Sequence, residues 1–398
     1  MSHPSAHKPP LAPRLYAAFA AWQDRRFGGE SIDYPFLILI LLLLTVGLTM
    51  LYSASFAQSQ YDTGYTVSTK YLQKQAICAL IGLIAMYGFS RIPANLWYHL
   101  AWPLYGVSIV LLLSVLVIGQ EVNGARRWIN IAGIQFQPSE IAKFTQILLF
   151  ARLTRNYGQN AKSFRYGVLG FGFALLGILI PLALEKHLSA IMLMGMVAVV
   201  MMFVAGTSPR WLLLGAAAAG VFVVIYISVM GYAGDRVTAW LHPEQDPGDT
   251  GYQILQSLYA IGSGGLFGLG FGKSRQKYLY LPFQYNDYIF AVCCEELGLV
   301  GAMAIAALFA AAILRGYWIA LRARDRFSTV FAAGLITQIA VQTLLNMGVV
   351  SNLLPSTGVA LPFFSYGGTA LAVNLAEMGV LLSISRYRER AAKQEEIL

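Results

Sequence analysis

One carboxylate in the sequence is a candidate for acid–base chemistry. Asp287 lies at the start of a long apolar block, and the polar run before it carries Arg275 and Lys277. Partial removal from water raises the pKa of a carboxylate towards that of a useful base, whereas nearby cations lower it. The sequence leaves this balance open. It equally allows a structural role, in which Asp287 caps the helix that follows it.

Further ionisable side chains lie inside apolar blocks. Glu140 and Lys143 are three residues apart, so they share one helix face, and we interpret them as a structural pair that neutralises itself. Glu295, Glu296 and Glu377 also lie in apolar blocks. Because such groups are costly in hydrocarbon, we expect some of them to anchor polar contacts between helices.

Two adjacent guanidinium groups, those of Arg126 and Arg127, precede the block that contains Glu140. Arginine binds phosphate groups in a bidentate geometry, which suits an anionic headgroup or a pyrophosphate. Long basic side chains also reach from an apolar surface to water without binding anything. Both interpretations remain open at this stage.

A glycine-rich run, GSGGLFGLGFGKS at 262–274, superficially resembles a nucleotide-binding loop. A P-loop needs glycine five positions before its Gly-Lys pair, and Phe267 occupies that position. The run therefore predicts tight turns and close packing of the backbone.

The composition requires a membrane environment for these residues. The chain is 57% hydrophobic and 12% charged, whereas soluble domains average about 25% charged. Its net charge of +9 comes from Lys and Arg at the ends of apolar blocks, which is typical of membrane topology and not of nucleic-acid binding. Cys78, Cys293 and Cys294 lie in apolar stretches and are predicted to be free core thiols, with no metal-type spacing.

The apolar residues form blocks of about 20, the length of a membrane-spanning helix. We predict an all-α polytopic protein of about ten transmembrane helices, with no internal repeat to support an inverted-repeat transporter. The predicted blocks are 35–51, 72–90, 97–119, 138–154, 165–184, 188–206, 210–232, 287–314, 328–350 and 361–385.

The Lys and Arg bias of the short loops predicts that both termini are cytoplasmic. We expect cytoplasmic segments at 1–33 and 389–398, a single transmembrane domain at 34–388, and a retained first helix. One long extracytoplasmic loop, about 234–286, joins helices 7 and 8; its many apolar residues predict packing on the membrane face. Pro and Gly residues at 353–370 predict irregular backbone that borders the same outward cavity as Asp287.

Several motifs in the predicted order resemble the SEDS proteins (shape, elongation, division and sporulation), the family of FtsW, RodA and SpoVE. The resemblance spans essentially all ten predicted helices and favours the division or sporulation type. The motifs are YSAS at 52–55, NGARRWI at 123–129, QPSEIAK at 137–143, GYQILQSLYAIGSGG at 251–265, NDYIFA at 286–291, EELG at 295–298 and LPFFSYGG at 361–368.

The resemblance implies a peptidoglycan glycosyltransferase of the bacterial cytoplasmic membrane that polymerises lipid II in septal or spore wall synthesis. It implies a class B penicillin-binding protein and other divisome or elongasome membrane proteins as partners, and no organic cofactor. Asp287 occupies the essential acidic position of the family and would act as the catalytic residue, directly or through a divalent cation, magnesium or manganese. The residues expected to bind substrate are Arg127, Lys277, Arg275, Ser365 and Tyr366; those expected to support the site are Glu140, Lys143, Glu295 and Glu296.

The chain departs from the family pattern in two places. Lys186, His187 and Ser189 stand where many relatives carry Pro-Asp followed by Gly or Ser, so no role of that second aspartate transfers. Phe283 and Tyr285 stand where many relatives carry Glu and His. Two alternatives remain: a lipid II flippase, which would tolerate Asp287→Ala better than a polymerase, and a non-catalytic scaffold for a transpeptidase, which would not need Asp287 for growth.

Overall fold

The computed structural model describes residues 32–122, 125–131, 134–215, 238–245 and 250–386. The helices are α1 (Tyr34–Asp62), α2 (Lys70–Phe89), α3 (Ala94–Ile118), α4 (Pro138–Tyr157), α5 (Phe171–Leu184), α6 (Leu188–Val204), α7 (Thr250–Gly264), α8 (Ile289–Leu321), α9 (Arg326–Val350) and α10 (Gly368–Arg386). The strands are β1 (Gln120–Val122), β2 (Ala125–Ile131) and β3 (Ile134–Phe136).

The helices confirm the predicted all-α polytopic class. Within the described residues, seven helical stretches are long and apolar enough to cross a membrane: α1, α2, α3, α5 with the π-helical turn before it, α8, α9 and α10. Helix α6 is apolar but shorter. Most of the predicted block 210–232, residues 1–31 of the predicted N-terminal cytoplasmic segment and the whole predicted C-terminal one lie outside the described residues, so the number of spans and the sidedness of the termini stay predictions.

Helix α4 occupies the centre of the bundle. It contacts α3, α5, α6, α9 and α10, and most of its side chains are buried. Because neighbouring helices and not lipid surround it, α4 can carry Glu140, Lys143 and Gln146 within the membrane-spanning body of the protein. The helices outside α4 expose apolar side chains such as Ile84 and Val110, as lipid contact requires.

The two ends of the bundle differ in their side chains. One end contains the connections after α1, α3, α5 and α9 together with the segment before α8. The other end carries most of the arginines that the structure describes, including Arg91, Arg152, Arg155, Arg315, Arg322, Arg324 and Arg326. The positive-inside rule assigns this basic end to the cytoplasm, and we call the opposite end the outer end.

A small β-meander at the outer end was not predicted from the sequence. Strands β1 and β2 pair antiparallel, and β2 pairs with β3 so that Ile129 lies opposite Phe136. The connection between α3 and α4 leaves the helical bundle, and its backbone groups are satisfied by strand pairing instead of by a helix. Arg126 and Arg127 therefore lie on a strand, where successive side chains point to opposite faces.

The predicted long outer loop is partly helical. Helix α7 lies within it and packs on α8 and α9, burying Ile254, Ser257 and Ala260 while exposing Tyr259. Ser257 donates a hydrogen bond of 2.7 Å to the carbonyl of Val350. The loop is thus attached to the outer ends of the helices through specific contacts.

The glycine-rich run packs backbone against backbone on α8, which confirms its structural interpretation. The amides of Leu269 and Gly270 donate to the carbonyls of Glu295 and Glu296, both at 3.0 Å. Gly298 interrupts α8 with φ +67°, and a Cβ at this position would lie 2.3 Å from the amide nitrogen of Gly268. Only glycine satisfies both the left-handed backbone and this close approach.

We expect Gly298→Ala to destabilise the protein by roughly 2 kcal/mol or more, because the added methyl group collides with backbone in a strained conformation. Gly262→Ala is the matched control, since a Cβ at Gly262 meets nothing within 4 Å. Thermal unfolding of the two purified variants in detergent measures the difference. Equal melting temperatures would show that this contact is unimportant.

Candidate active site

Asp287 lies at the outer end, immediately before α8. The helix begins at Ile289 with Tyr288 in the capping position, so Asp287 lies one residue before the capping residue. Asp287 is half-buried. Its carbonyl accepts a hydrogen bond of 2.7 Å from the side-chain amide of Asn346, which also donates to Val359 at 2.9 Å. This amide fixes the segment before α8 on α9 and on the connection after α9.

The connection between α9 and α10 passes directly beside the carboxylate. A Cβ at Gly358 would lie 3.4 Å from Asp287 Oδ2 and 3.8 Å from Ser189 Oγ, so the two side chains border the same space. The hydroxyl of Ser189 donates to the carbonyl of Thr357. Gly358 has φ +66° and no side chain, which leaves this space beside the carboxylate open. The irregular 353–370 segment thus borders Asp287, as predicted.

Two cations meet at the neighbouring connection between α5 and α6. Arg127 Nη2 donates a hydrogen bond of 2.6 Å to the carbonyl of Lys186. Lys186 adopts φ +55°, and its ammonium is exposed. Ser189, which borders the same space as Asp287, is three residues after Lys186. The exposed Lys186 therefore lies on the connection that reaches Asp287, and the half-buried Arg127 contacts that connection. The sequence showed Lys186 only as a departure from the family pattern, and its role was missed.

The residues on either side of Lys186 are buried but contribute little charge near neutral pH. Burial raises the pKa of Glu185 to about 8, although Arg127 opposes the shift. Burial lowers the pKa of His187 to about 3, and the charges of Arg127 and Lys143 lower it further. Glu185 is therefore largely protonated and His187 neutral near pH 7, so neither group cancels the positive charge of Arg127 and Lys186.

Lys277 was predicted to bind the substrate, but its position does not support that role. Its side chain is 2% exposed and its ammonium donates to Ser53 Oγ at 3.0 Å, to the carbonyl of Gly272 at 2.6 Å and to Glu296 Oε1 at 2.9 Å. These acceptors use all three donors of the ammonium, so Lys277 joins α1 to α8 and is not available to a substrate phosphate. The sequence could not reveal these contacts, because Ser53 lies on α1 and Glu296 on α8, both separate from the segment that carries Lys277.

The neighbouring acid, Glu295, holds the same loop through its backbone. Its carboxylate accepts from Ser274 Oγ at 2.5 Å and from the amides of Arg275 and Gln276 at 2.9 and 3.3 Å. Glu295 and Glu296 thus make the polar contacts expected of supporting residues. The guanidinium of Arg275 remains exposed at the outer end, where a ligand can reach it.

The two residues predicted from the LPFFSYGG motif both make hydrogen bonds that hold the outer connections together, and the predicted contact of Tyr366 with substrate stays a prediction. Ser365 is 6% exposed; its hydroxyl donates to the carbonyl of Asn286 at 2.6 Å and accepts from the amide of Leu361 at 2.8 Å. This hydroxyl therefore joins two outer connections, and the geometry does not support its predicted contact with substrate. Tyr366 donates its amide to the carbonyl of Tyr285 at 2.9 Å, so it also holds the segment that carries Asp287.

Tyr285, which replaces the histidine of many relatives, belongs to an aromatic cluster with Tyr71 and Tyr366. The ring centroid of Tyr71 lies 4.5 Å from that of Tyr285 and 4.9 Å from that of Tyr366. The hydroxyl of Tyr285 donates to that of Tyr71 at 3.3 Å, and Tyr71 donates to Asp62 at 2.5 Å. Burial raises the pKa of Tyr285 and of Tyr366, so both phenols stay neutral at physiological pH.

The predicted pair on α4 is present. Lys143 Nζ lies 2.7 Å from Glu140 Oε2, and both side chains are less than 10% exposed. On α10, Glu377 accepts from the side-chain amide of Gln338 on α9 at 2.9 Å. The first contact neutralises two charges within α4 and the second joins α9 to α10, in agreement with a supporting role.

A divalent cation would find few protein ligands here. Among the described residues, no group of three or more His, Cys, Asp or Glu side chains could hold a metal ion. Magnesium, however, is commonly bound by one or two carboxylates together with substrate phosphates and water. Asp287 fits a cation that arrives with a diphosphate, and does not fit one held by the protein alone. The three described cysteines are free and buried, as predicted.

We expect Lys277→Met to destabilise the protein by about 3 to 5 kcal/mol, because it leaves Glu296 buried without its cation. The double variant Lys277→Met/Glu296→Gln should recover much of that loss, since it removes both charges. Unfolding in detergent measures the two effects, with the exposed Lys273→Met as control. A loss of substrate affinity in Lys277→Met without a loss of stability would restore the original prediction for this residue.

Comparisons with known proteins agree with the fold. The family model of FtsW, RodA and SpoVE, described as a cell cycle protein, matches residues 34–390. The chain is 39% identical to a probable peptidoglycan glycosyltransferase FtsW of Geobacter metallireducens, over 89% of this chain and 95% of the relative. It is 40% identical to the stage V sporulation protein E of Bacillus subtilis, over 90% of this chain and 98% of the relative.

Two solved structures have the same fold. One comes from a study of how a peptidoglycan synthase complex coordinates polymerization and crosslinking; it superposes with a TM-score of 0.75 at 27% identity, covering 90% of this chain and 99% of the other. The other is the rod shape determining protein RodA of Thermus thermophilus, with a TM-score of 0.67 at 27% identity, covering 90% of this chain and 98% of RodA. The chain therefore belongs to the FtsW, RodA and SpoVE family of multi-pass proteins of the bacterial cytoplasmic membrane.

Proposed function

We propose that this protein is a peptidoglycan glycosyltransferase that polymerises lipid II at the outer face of the cytoplasmic membrane, in septal or spore wall synthesis. The observation that carries the proposal is the half-buried carboxylate of Asp287, which lies at the outer end where the segment before α8 meets the connections after α5 and α9. The names of the FtsW and SpoVE relatives support the activity and the cellular role.

The chemistry requires a base at the boundary between water and membrane. In our proposal, Asp287 accepts the proton of the 4-hydroxyl group of the acceptor sugar. The hydroxyl oxygen then attacks the anomeric carbon of the donor sugar, and the bond between that carbon and the diphosphate oxygen breaks. Undecaprenyl diphosphate leaves with the bonding electron pair. A positioned base of this kind contributes typically 10²- to 10⁴-fold to the rate.

The leaving diphosphate needs positive charge close to the base. Arg127 and Lys186 supply it from the connection between α5 and α6, and Arg275 is exposed on the loop before α8. Lys277, buried against Glu296, takes no part. Because Glu185 is largely protonated and His187 is neutral near pH 7, neither side chain adds much negative charge beside Arg127 and Lys186, which would oppose binding of the anion.

A divalent cation, magnesium or manganese, would be bound by Asp287 and the diphosphate oxygens of the substrate. When bound, it would offset the negative charge of the leaving group. In our proposal, Arg127 and Lys186 also offset this negative charge, and the metal ion would add to their effect.

The proposed partner is a class B penicillin-binding protein that crosslinks the glycan strands, together with other divisome or elongasome membrane proteins. The structural similarity to a chain from a peptidoglycan synthase complex supports a partner of this kind.

We expect Asp287→Asn to reduce lipid II polymerisation by the purified protein by at least about 100-fold, because the amide cannot accept the hydroxyl proton. Glu121→Gln removes one negative charge from the same end and should leave the rate unchanged. Glycan strands are measured by gel electrophoresis, with and without the partner and divalent cation. Polymerisation by Asp287→Asn at the rate of the unmodified protein would exclude the catalytic assignment. Retained lipid II transport in this variant would favour a flippase, and unaffected growth a scaffold.

We expect Lys186→Met to lower kcat/KM for lipid II about tenfold, because the exposed ammonium pairs with the diphosphate during its departure. Lys273→Met is the matched control: Lys273 is exposed on the glycine-rich run, away from the connection between α5 and α6. Steady-state polymerisation rates at several lipid II concentrations give the comparison. Equal kcat/KM values for the two variants would remove Lys186 from the site.

A further inference from the structure

The cytoplasmic end of the bundle contains a cavity of about 290 Å³ that the glycosyltransferase reaction does not use. Its walls come from the start of α3, the end of α4, the start of α9 and the end of α10. Three charged residues line it: Arg155, Arg324 and Asp325. Phe327 and Ile384 contribute apolar surface. The cavity therefore combines two guanidinium groups, one carboxylate and an apolar wall.

Arg155 is held at this cavity by an aromatic ring. Its guanidinium carbon lies 4.6 Å from the ring centroid of Tyr98, and that of Arg152 lies 4.7 Å from the same ring. The hydroxyl of Tyr98 donates to Asn156 at 2.7 Å, and Arg152 donates to the carbonyl of Tyr98 at 2.9 Å. These contacts restrict Tyr98, so Arg155 is preorganised beside the cavity and loses little side-chain freedom when it binds an anion.

The backbone adds to the positive potential. Helices α3 and α9 both begin at the cavity, and neither Pro93 nor Asp325, their capping residues, accepts a hydrogen bond through its side chain from a backbone amide of the first turn. The first amide groups of a helix are donors with partial positive charge, which favours an anion. Asp325 opposes this, but its carboxylate accepts from the hydroxyl of Ser328 at 2.6 Å. Positive charge exceeds negative charge among the lining residues.

The position of the cavity selects the class of anion. It lies at the basic end of the bundle, which the positive-inside rule assigns to the cytoplasm, and three of the helices that line it are long and apolar enough to cross a membrane. Basic pockets between helices on this side bind anionic lipid headgroups. We propose that this cavity binds the phosphate of an anionic phospholipid of the inner leaflet, with Arg155 and Arg324 as its ligands and the first amides of α3 and α9 as further donors. The proposal is independent of the reaction at Asp287.

The test measures phospholipid binding to the full-length protein in detergent. Native mass spectrometry counts bound lipid while phosphatidylglycerol, or phosphatidylcholine with the same acyl chains, is titrated, and thermal unfolding gives a second measurement. The variant is Arg155→Gln with Arg324→Gln. Its matched control is Arg165→Gln with Arg210→Gln, which removes the same charge from exposed arginines of the same end outside the cavity. Size-exclusion chromatography verifies that each variant is folded.

We expect phosphatidylglycerol to bind and stabilise the unmodified protein and the control, and to bind the cavity variant about tenfold more weakly. Phosphatidylcholine should bind all three weakly. Equal phosphatidylglycerol affinities for the cavity variant and the control would overturn the proposal, as would equal binding of the two lipids by the unmodified protein. Glycerol 3-phosphate is the second arm: if it stabilises the protein as well as the lipid does, the site takes a free anion and the lipid assignment is wrong.

Discussion

A charge that leaves water must be paired inside the protein, and this constraint divides the basic residues of this chain into two sets. Lys143, Lys277 and Arg315 are paired with Glu140, Glu296 and Asp33, at 2.7, 2.9 and 2.9 Å. The first pair neutralises two charges on one helix, whereas the other two join different elements of the bundle. Lys186 and Arg275 are exposed at the outer end and remain accessible to a ligand. The division follows from burial, since an ammonium surrounded by three acceptors cannot also bind substrate.

The same constraint explains the architecture around Asp287. Irregular backbone is unfavourable in hydrocarbon unless protein covers it, and here several irregular segments cover one another. Asn346 satisfies the carbonyls of Asp287 and Val359, Ser365 joins two connections, and the glycine-rich run pairs its backbone with α8. A half-buried carboxylate is thereby held in a fixed position without a regular element at that residue. The contacts that stabilise the outer end also orient the candidate base.

The two proposed phosphate sites, one at each end of the protein, hold their cations in different ways. At the outer end, the proposed diphosphate site must release its product, and exposed side chains on connecting segments suit that requirement. At the cytoplasmic end, an aromatic ring holds Arg155 at the cavity and two long helices begin there, which suits a ligand that stays bound. The two sites are separated by the membrane-spanning bundle, so each can be altered without the other.

The sequence by itself determined the membrane class, most helices and the family, and it singled out Asp287 as a candidate, because hydrophobic block length and local motifs depend on residues that are close in the chain. It also predicted the pair Glu140 and Lys143, since residues three apart share a helix face. Only the tertiary structure decided that Lys277 is buried, that Ser365 joins two loops and that Lys186 lies beside Arg127. Those outcomes depend on contacts between distant segments, which decide whether a polar group faces protein or water and which no local pattern specifies.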